Sequence, residues 1–104
     1  MEGTLAVVKA AYKFKVKRVV ITSSCASIFV RKPEDMQDSY NETDWSDVSA
    51  CGPYEKSKTL AESAAWEYLN SIPFNERFEL VVINPSLILG PSLIPGDFSS
   101  VQVI

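Results

Sequence analysis

Two short, unbroken apolar runs constrain this chain most: Val19-Val20-Ile21 and Leu80-Val81-Val82-Ile83. Neither alternates with polar residues, as a strand with one wet face would. A continuous β-branched run of this length predicts a strand buried on both faces, as in a parallel sheet. Parallel neighbours need a long crossover between them, and the intervening sequence holds a helix-length stretch from Pro53 to Leu69. Pro53 suits a first helical turn, and Tyr54, Lys58, Ala61, Ala65 and Tyr68 share one stripe. An earlier helix is predicted from Glu2 to Lys15, with Leu5, Val8, Ala11 and Tyr12 as its apolar stripe.

Residues 29–52 break this pattern. They are polar and acidic, contain Pro33, Asn41, Trp45 and Gly52, and have no clear period. A long loop is predicted there, of the kind that often carries function. Residues 70–76, with Pro73, form a shorter connection. Asn84-Pro85 stops the second strand, and Leu87-Ile88-Leu89-Gly90-Pro91 leads into a Pro/Gly/Ser-rich stretch. The order helix, strand, long loop, helix, strand predicts an α/β fold, a fragment of a doubly wound parallel-sheet (Rossmann-like) domain. Residues 1–104 are expected to be part of one such domain, because two apolar parallel strands need further neighbours.

Charge and residue types narrow the function. The net charge is −3 and the basic residues form no block beyond Lys13, Lys15, Lys17 and Arg18, which read as the solvated end of a helix. Nucleic acid and membrane are therefore not expected partners. No apolar run spans a bilayer and no secretory signal opens the chain. Asn41-Glu42-Thr43 then reads as a chance glycosylation match, and the two cysteines, Cys25 and Cys51, fit a reduced, cytoplasmic setting. The chain has no histidine. That excludes Ser-His-Asp and Cys-His systems built from its own residues, and no metal site is expected.

Tyr54 and Lys58 are the chemically telling pair. Four residues apart on a helix, they are neighbours on one face. A cation beside a phenol favours the phenolate, and a phenol so placed can give a proton to a carbonyl or take one from an alcohol. The same spacing also arises from a helix with one buried aromatic and one solvated lysine. In an open α/β sheet, ligands bind beyond the carboxyl ends of the strands. Those ends carry Thr22-Ser23-Ser24 and Asn84-Pro85-Ser86-Leu87, and the long loop gives the helix start the reach to join them.

Three segments together resemble the extended short-chain dehydrogenase/reductase superfamily, of the NAD-dependent epimerase/dehydratase type. They are Val16-Lys17-Arg18-Val19-Val20-Ile21-Thr22-Ser23-Ser24, Tyr54-Glu55-Lys56-Ser57-Lys58-Thr59-Leu60-Ala61-Glu62 and Asn84-Pro85-Ser86-Leu87-Ile88-Leu89-Gly90-Pro91. Within the superfamily the chain looks most like dihydroflavonol reductase-like and cinnamoyl-CoA reductase-like enzymes. Gly3-Thr4 and Val8-Lys9-Ala10-Ala11 look like the helix before the serine strand.

The resemblance implies an oxidoreductase that passes hydride between NAD(P)H and a carbonyl or secondary alcohol, with NADP favoured over NAD. It makes Ser24 the carbonyl-binding hydroxyl, ahead of Ser23, and Tyr54 the proton donor. Lys58 would tune the tyrosine and hold the nicotinamide ribose. Pro85, Ser86, Leu87 and Ile88 would line the nicotinamide pocket, with Thr22, Ser23, Tyr54 and Lys58 also on the cofactor side. A strand-end serine can equally serve backbone groups alone. The four glycines, Gly3, Gly52, Gly90 and Gly96, form no Gly-x-x-Gly-x-x-Gly turn, so the chain is expected to be an internal fragment, inactive by itself.

Cys25 and Cys51 could form a redox switch or be small core residues, the second being the default. Tyr40 and Trp45 could touch a substrate or anchor the long loop on the core, the second being the default. Helices 2–15 and 53–69 would serve a homodimer. The alternatives are a sugar-nucleotide epimerase/dehydratase, a hydroxysteroid dehydrogenase, or a non-catalytic interaction module.

Overall fold

The computed structural model describes residues 2–91 and 93. The Pro/Gly/Ser-rich stretch after Pro91 lies outside them apart from Leu93. Helix α1 spans Glu2–Lys13, strand β1 Arg18–Thr22, helix α2 Pro53–Ser71 and strand β2 Glu79–Ile83. The two strands are parallel neighbours in the register Arg18↔Glu79, Val20↔Val81 and Thr22↔Ile83. This is the predicted α/β crossover, consistent with a piece of a Rossmann-like sheet.

Both helices lie on one face of the sheet. Val8 and Ala11 from α1 meet Ala65 and Leu69 from α2, and Ile72 and Phe78 close the same cluster beneath. Val19, Ile21 and Leu80 point into it from the strands. Small residues at Ala11 and Ala65 let the helices approach closely, and the Tyr12 and Tyr68 rings meet edge-on at 6.4 Å between centroids. Of the predicted α1 stripe, Val8 and Ala11 are buried and Leu5 and Tyr12 half-buried.

Four expectations need correction. The strands are not covered on both faces: among the described residues, Val20, Val81 and Ile83 face outward and are 60%, 42% and 51% exposed. Continuous apolar sequence reports the strand's preference on both sides, and only one side is met by these helices. Next, α2 buries Thr59, Glu62, Ala64, Ala65 and Leu69, so of the predicted stripe only Ala65 is buried, Lys58, Ala61 and Tyr68 are half-buried, and Tyr54 is exposed. The true stripe includes a carboxyl, which a hydrophobic period passes over. The long loop also holds local structure, with 3₁₀ turns at Pro33–Asp35 and Val48–Ala50, and another turn, Cys25–Ser27, precedes it. Finally, α1 stops at Lys13 rather than Lys15.

The reason for that early stop is a reversal of backbone hand. Lys15 has φ of 56°, the left-handed region that glycine usually occupies after a helix. The turn closes with the Val16 amide donating to the Ala11 carbonyl at 3.0 Å and the Lys15 amide donating to the Tyr12 carbonyl at 3.2 Å. Without a glycine at this position, the basic cluster marks the region where the helix ends but the residue that turns left-handed carries no sequence signal. Relief of the left-handed strain, partly offset by the floppier unfolded chain, predicts that Lys15→Gly raises unfolding free energy by about 0.5–1 kcal/mol. Urea denaturation followed by circular dichroism measures this, and a loss of stability contradicts it.

Candidate functional site

The parallel pairing does not end with the strands. The Ser23 amide donates to the Ile83 carbonyl at 2.7 Å, and the Cys25 amide donates to the Pro85 carbonyl at 3.1 Å. These bonds carry the ladder one step beyond each strand, so Ser23, Ser24, Asn84 and Pro85 sit side by side at the carboxyl edge. Thr22 closes β1 on the exposed face.

Ser24 then caps the turn Cys25–Ser27. Its Oγ accepts from the Ala26 amide at 3.1 Å, in extended backbone with φ of −159°. This bond uses a lone pair of the hydroxyl and leaves its proton for another acceptor. Ser23 and Ser24 are both buried.

Two segments meet at the Ser24 carbonyl. Ser27 Oγ lies 2.8 Å from it and Asn84 Nδ2 donates to it at 2.9 Å. Both side chains also reach Glu62 Oε1 on α2, Ser27 Oγ at 2.9 Å and Asn84 Nδ2 at 2.7 Å, and the amide lies 3.0 Å from Ser27 Oγ. Glu62 is only 8% exposed and Ser27 is fully buried. No lysine or arginine among the described residues pairs with Glu62. Its oxygen is satisfied by neutral donors, the condition under which a polar group can be buried.

The same helix face carries Tyr54 and Lys58. They precede Glu62 by two turns and one, a rise of roughly 6 Å each. Lys58 Nζ lies 5.9 Å from the centroid of the Tyr54 ring, and the ring is 59% exposed. Lys58 is half-buried. Pro53 stands in the first turn and Gly52 caps the helix, so this pair occupies its amino-terminal end, where amide dipoles add a positive field. The sequence therefore placed phenol and ammonium correctly as neighbours. Glu62, Ser27 and the Asn84 amide escaped it. Asn84 reads only as a strand stop, and Glu62 is one more polar residue in a helix. The usable signal is the i, i+4, i+8 spacing of Tyr54, Lys58 and Glu62, which puts all three on one face.

On the other side of the edge, Pro85 is half-buried, and Ser86, Leu87 and Ile88 are exposed. Leu87 and Ile88 offer apolar surface beside polar backbone. Cys25 and Cys51 are free and half-buried. A groove lined by Tyr12, Lys15, Lys17, Arg77 and Glu79 lies at the amino-terminal ends of the strands, away from these groups.

The long loop returns to this edge through Ser46. Its Oγ donates to the Ala26 carbonyl at 2.6 Å and accepts from the Val30 amide at 2.9 Å, while its own amide donates to the Ser27 carbonyl at 2.8 Å. Tyr40 anchors the loop on itself rather than on the core: the Arg31 guanidinium lies 5.6 Å from its ring centroid and its hydroxyl accepts from the Gln37 amide. Trp45 remains 39% exposed. Asp47 caps the next turn and its carboxyl is held below the usual 3.8, first by the Ser49 hydroxyl and then by the Ser49 amide, with Lys32 and Arg31 adding to the effect.

The model of the 3-beta hydroxysteroid dehydrogenase/isomerase family matches residues 1–94. Cinnamoyl-CoA reductase 2 of Arabidopsis thaliana is 40% identical over 97 residues, covering 89% of this chain and 28% of that protein. Tetraketide alpha-pyrone reductase 2 of the same plant is 37% identical over 110 residues, covering 100% of this chain and 33% of that protein. The bifunctional dihydroflavonol 4-reductase/flavanone 4-reductase of Pyrus communis is 37% identical over 104 residues, covering 92% and 28%. The chain thus spans a third or less of these curated relatives. No helix among the described residues is long and apolar enough to cross a membrane.

Two outcomes follow for the loop. Ser46→Ala leaves the Val30 amide without its partner, a loss of about 1–3 kcal/mol in unfolding free energy; an unchanged denaturation midpoint contradicts the anchoring role. Asp47 has a depressed folded-state pKa, so its contribution is full above the unfolded value and is lost as pH falls through the folded one. Acid titration followed by the Ser49 amide NMR shift reads this transition below the usual carboxylate range. Asp47→Asn should abolish it.

Proposed function

We propose that this chain, which belongs to the 3-beta hydroxysteroid dehydrogenase/isomerase family, carries the proton-transfer side of an NAD(P)H-linked carbonyl reductase. The observation that carries this reading is the Tyr54/Lys58 pair, with the ammonium 5.9 Å from the phenol ring. The phenol is exposed and can meet a substrate directly.

The roles follow from each group's chemistry. Tyr54 gives its proton to the carbonyl oxygen as negative charge develops there. Lys58 stabilises the phenolate left behind and offers donors to a ribose hydroxyl. Ser24, its Oγ lone pair held by the Ala26 amide, donates its proton to the same carbonyl oxygen and orients it. Pro85, Ser86, Leu87 and Ile88 border the place where the cofactor's ring would lie, and Thr22 and Ser23 flank it. The residues present fit a nicotinamide: exposed apolar side chains at Leu87 and Ile88 for its ring, and an ammonium for its ribose. When bound, the cofactor supplies the hydride and the protein supplies proton and position. The named relatives are reductases, which supports reduction over epimerisation. NADP as the preferred form rests on that likeness.

The test is an exchange of segments. This chain replaces the aligned part of Arabidopsis cinnamoyl-CoA reductase 2, and reduction is followed by loss of NADPH absorbance. The chimera should reduce cinnamoyl-CoA. Tyr54→Phe should then lower turnover by about 10²–10⁴-fold, the usual worth of a positioned general acid. Ser24→Ala should cost about 1–3 kcal/mol of transition-state stabilisation and more than Ser23→Ala. Near-normal turnover of the Tyr54→Phe chimera would sink the assignment.

A further inference from the structure

A carboxyl buried among neutral donors is an expensive way to fill space. Leucine would fit an apolar stripe between Ala61 and Ala65 without desolvating a polar group. Glu62 has a specific geometric consequence instead. Its Oε1 is the common acceptor for Ser27 Oγ on the turn after β1 and Asn84 Nδ2 on the turn after β2. Both of those side chains also engage the Ser24 carbonyl. A single oxygen on α2 thereby ties down the residue whose hydroxyl caps the Cys25–Ser27 turn, and it does so on the helix face of Tyr54 and Lys58.

We infer that Glu62, through Ser27 and Asn84, is the positioning residue that fixes the Ser24 turn relative to the Tyr54/Lys58 helix. The inference rests on the proposed reading in which Ser24 and Tyr54 act on one carbonyl oxygen. Glu62 itself touches no reacting atom. Two protic hydrogen-bond donors from two different strand ends converge on it, so a shift of α2 along its axis or of either turn breaks at least one bond. Polar bonds of this kind are more directional than apolar contact, which tolerates sliding. With the Ser27 hydroxyl proton given to Glu62, the Ser24 carbonyl is held by two donors, the Ser27 amide at 3.1 Å and Asn84 Nδ2 at 2.9 Å. Its peptide cannot rotate without releasing them, and that holds its Oγ in register with the Ala26 amide.

The first arm of the test uses the chain as it stands and needs no activity. Amide hydrogen exchange by NMR is measured at Ala26 and Ser27, with Ile72, at the far end of α2, as the reference. Glu62→Ala should speed exchange at Ala26 and Ser27 by about tenfold to a hundredfold, the effect of stranding buried donors, and leave Ile72 unchanged. Glu62→Gln keeps an acceptor oxygen at the same reach and should restore slow exchange. Where Glu62→Ala fails to fold, Ser27→Ala, which deletes one hydroxyl, gives the same comparison. Unchanged exchange at Ala26 and Ser27 in the folded variant overturns the inference.

The second arm places the same variants in the reductase chimera. Glu62→Ala should lower kcat by tenfold or more with the KM for NADPH little changed, and Glu62→Gln should recover most of it. Fast exchange with unchanged kcat overturns the positioning role. A chimera that is inactive with Glu62 intact counts against the reductase reading itself, and the exchange arm alone then decides whether Glu62 holds the Ser24 turn.

Discussion

The carboxyl edge of this molecule depends on one buried oxygen, Glu62 Oε1. Three chain segments separated widely in sequence meet there: the turn after β1, the middle of α2 and the residue after β2. A buried carboxyl without donors would cost several kcal/mol, and buried amide or hydroxyl donors without an acceptor about 1–3 kcal/mol each. Each partner is therefore tolerable only because the others are present. This mutual dependence gives the edge one arrangement.

The sheet supplies the frame for that arrangement. Extension of the parallel ladder through Ser23–Ile83 and Cys25–Pro85 keeps the two strand ends level, so that Ser24 and Asn84 arrive together. Behind them, Val8, Ala11, Ala65 and Leu69 pack the two helices on one face. That packing sets the height of α2 against the sheet, and hence of Tyr54 and Lys58 above the strand ends. Apolar burial fixes which face of the helix turns inward, while the hydrogen bonds at Glu62 fix its position along the axis.

Loop and site are coupled through Ser46. A polar, acidic segment would be expected to wander over the surface, yet Ser46 is buried and bonded at both ends of its hydroxyl to the backbone beside Ser24. The turn at Val48–Ala50, capped by Asp47, follows at once and delivers the chain to Gly52 and Pro53. In this way the loop both covers the Ser24 turn and presents the start of α2. Arg31, Tyr40 and Asp44 organise the loop's outer part without reaching the core.

Local chemistry made much of this legible in advance. The β-branched runs specified β1 and β2, Pro53 specified the start of α2, and the four-residue spacing specified the contact of Tyr54 with Lys58. Each of these depends on neighbours within a turn or on the intrinsic preference of a short segment, which sequence records directly. The end of α1 was hidden because a lysine, not a glycine, takes the left-handed position. The inward face of α2 was misjudged because a buried glutamate looks, in sequence, like a solvated one. Whether Glu62 is buried depends on donors at Ser27 and Asn84, 35 and 22 residues away. Only tertiary structure could bring those donors to it, since a polar side chain's environment is set by what the fold places around it and not by the side chain itself.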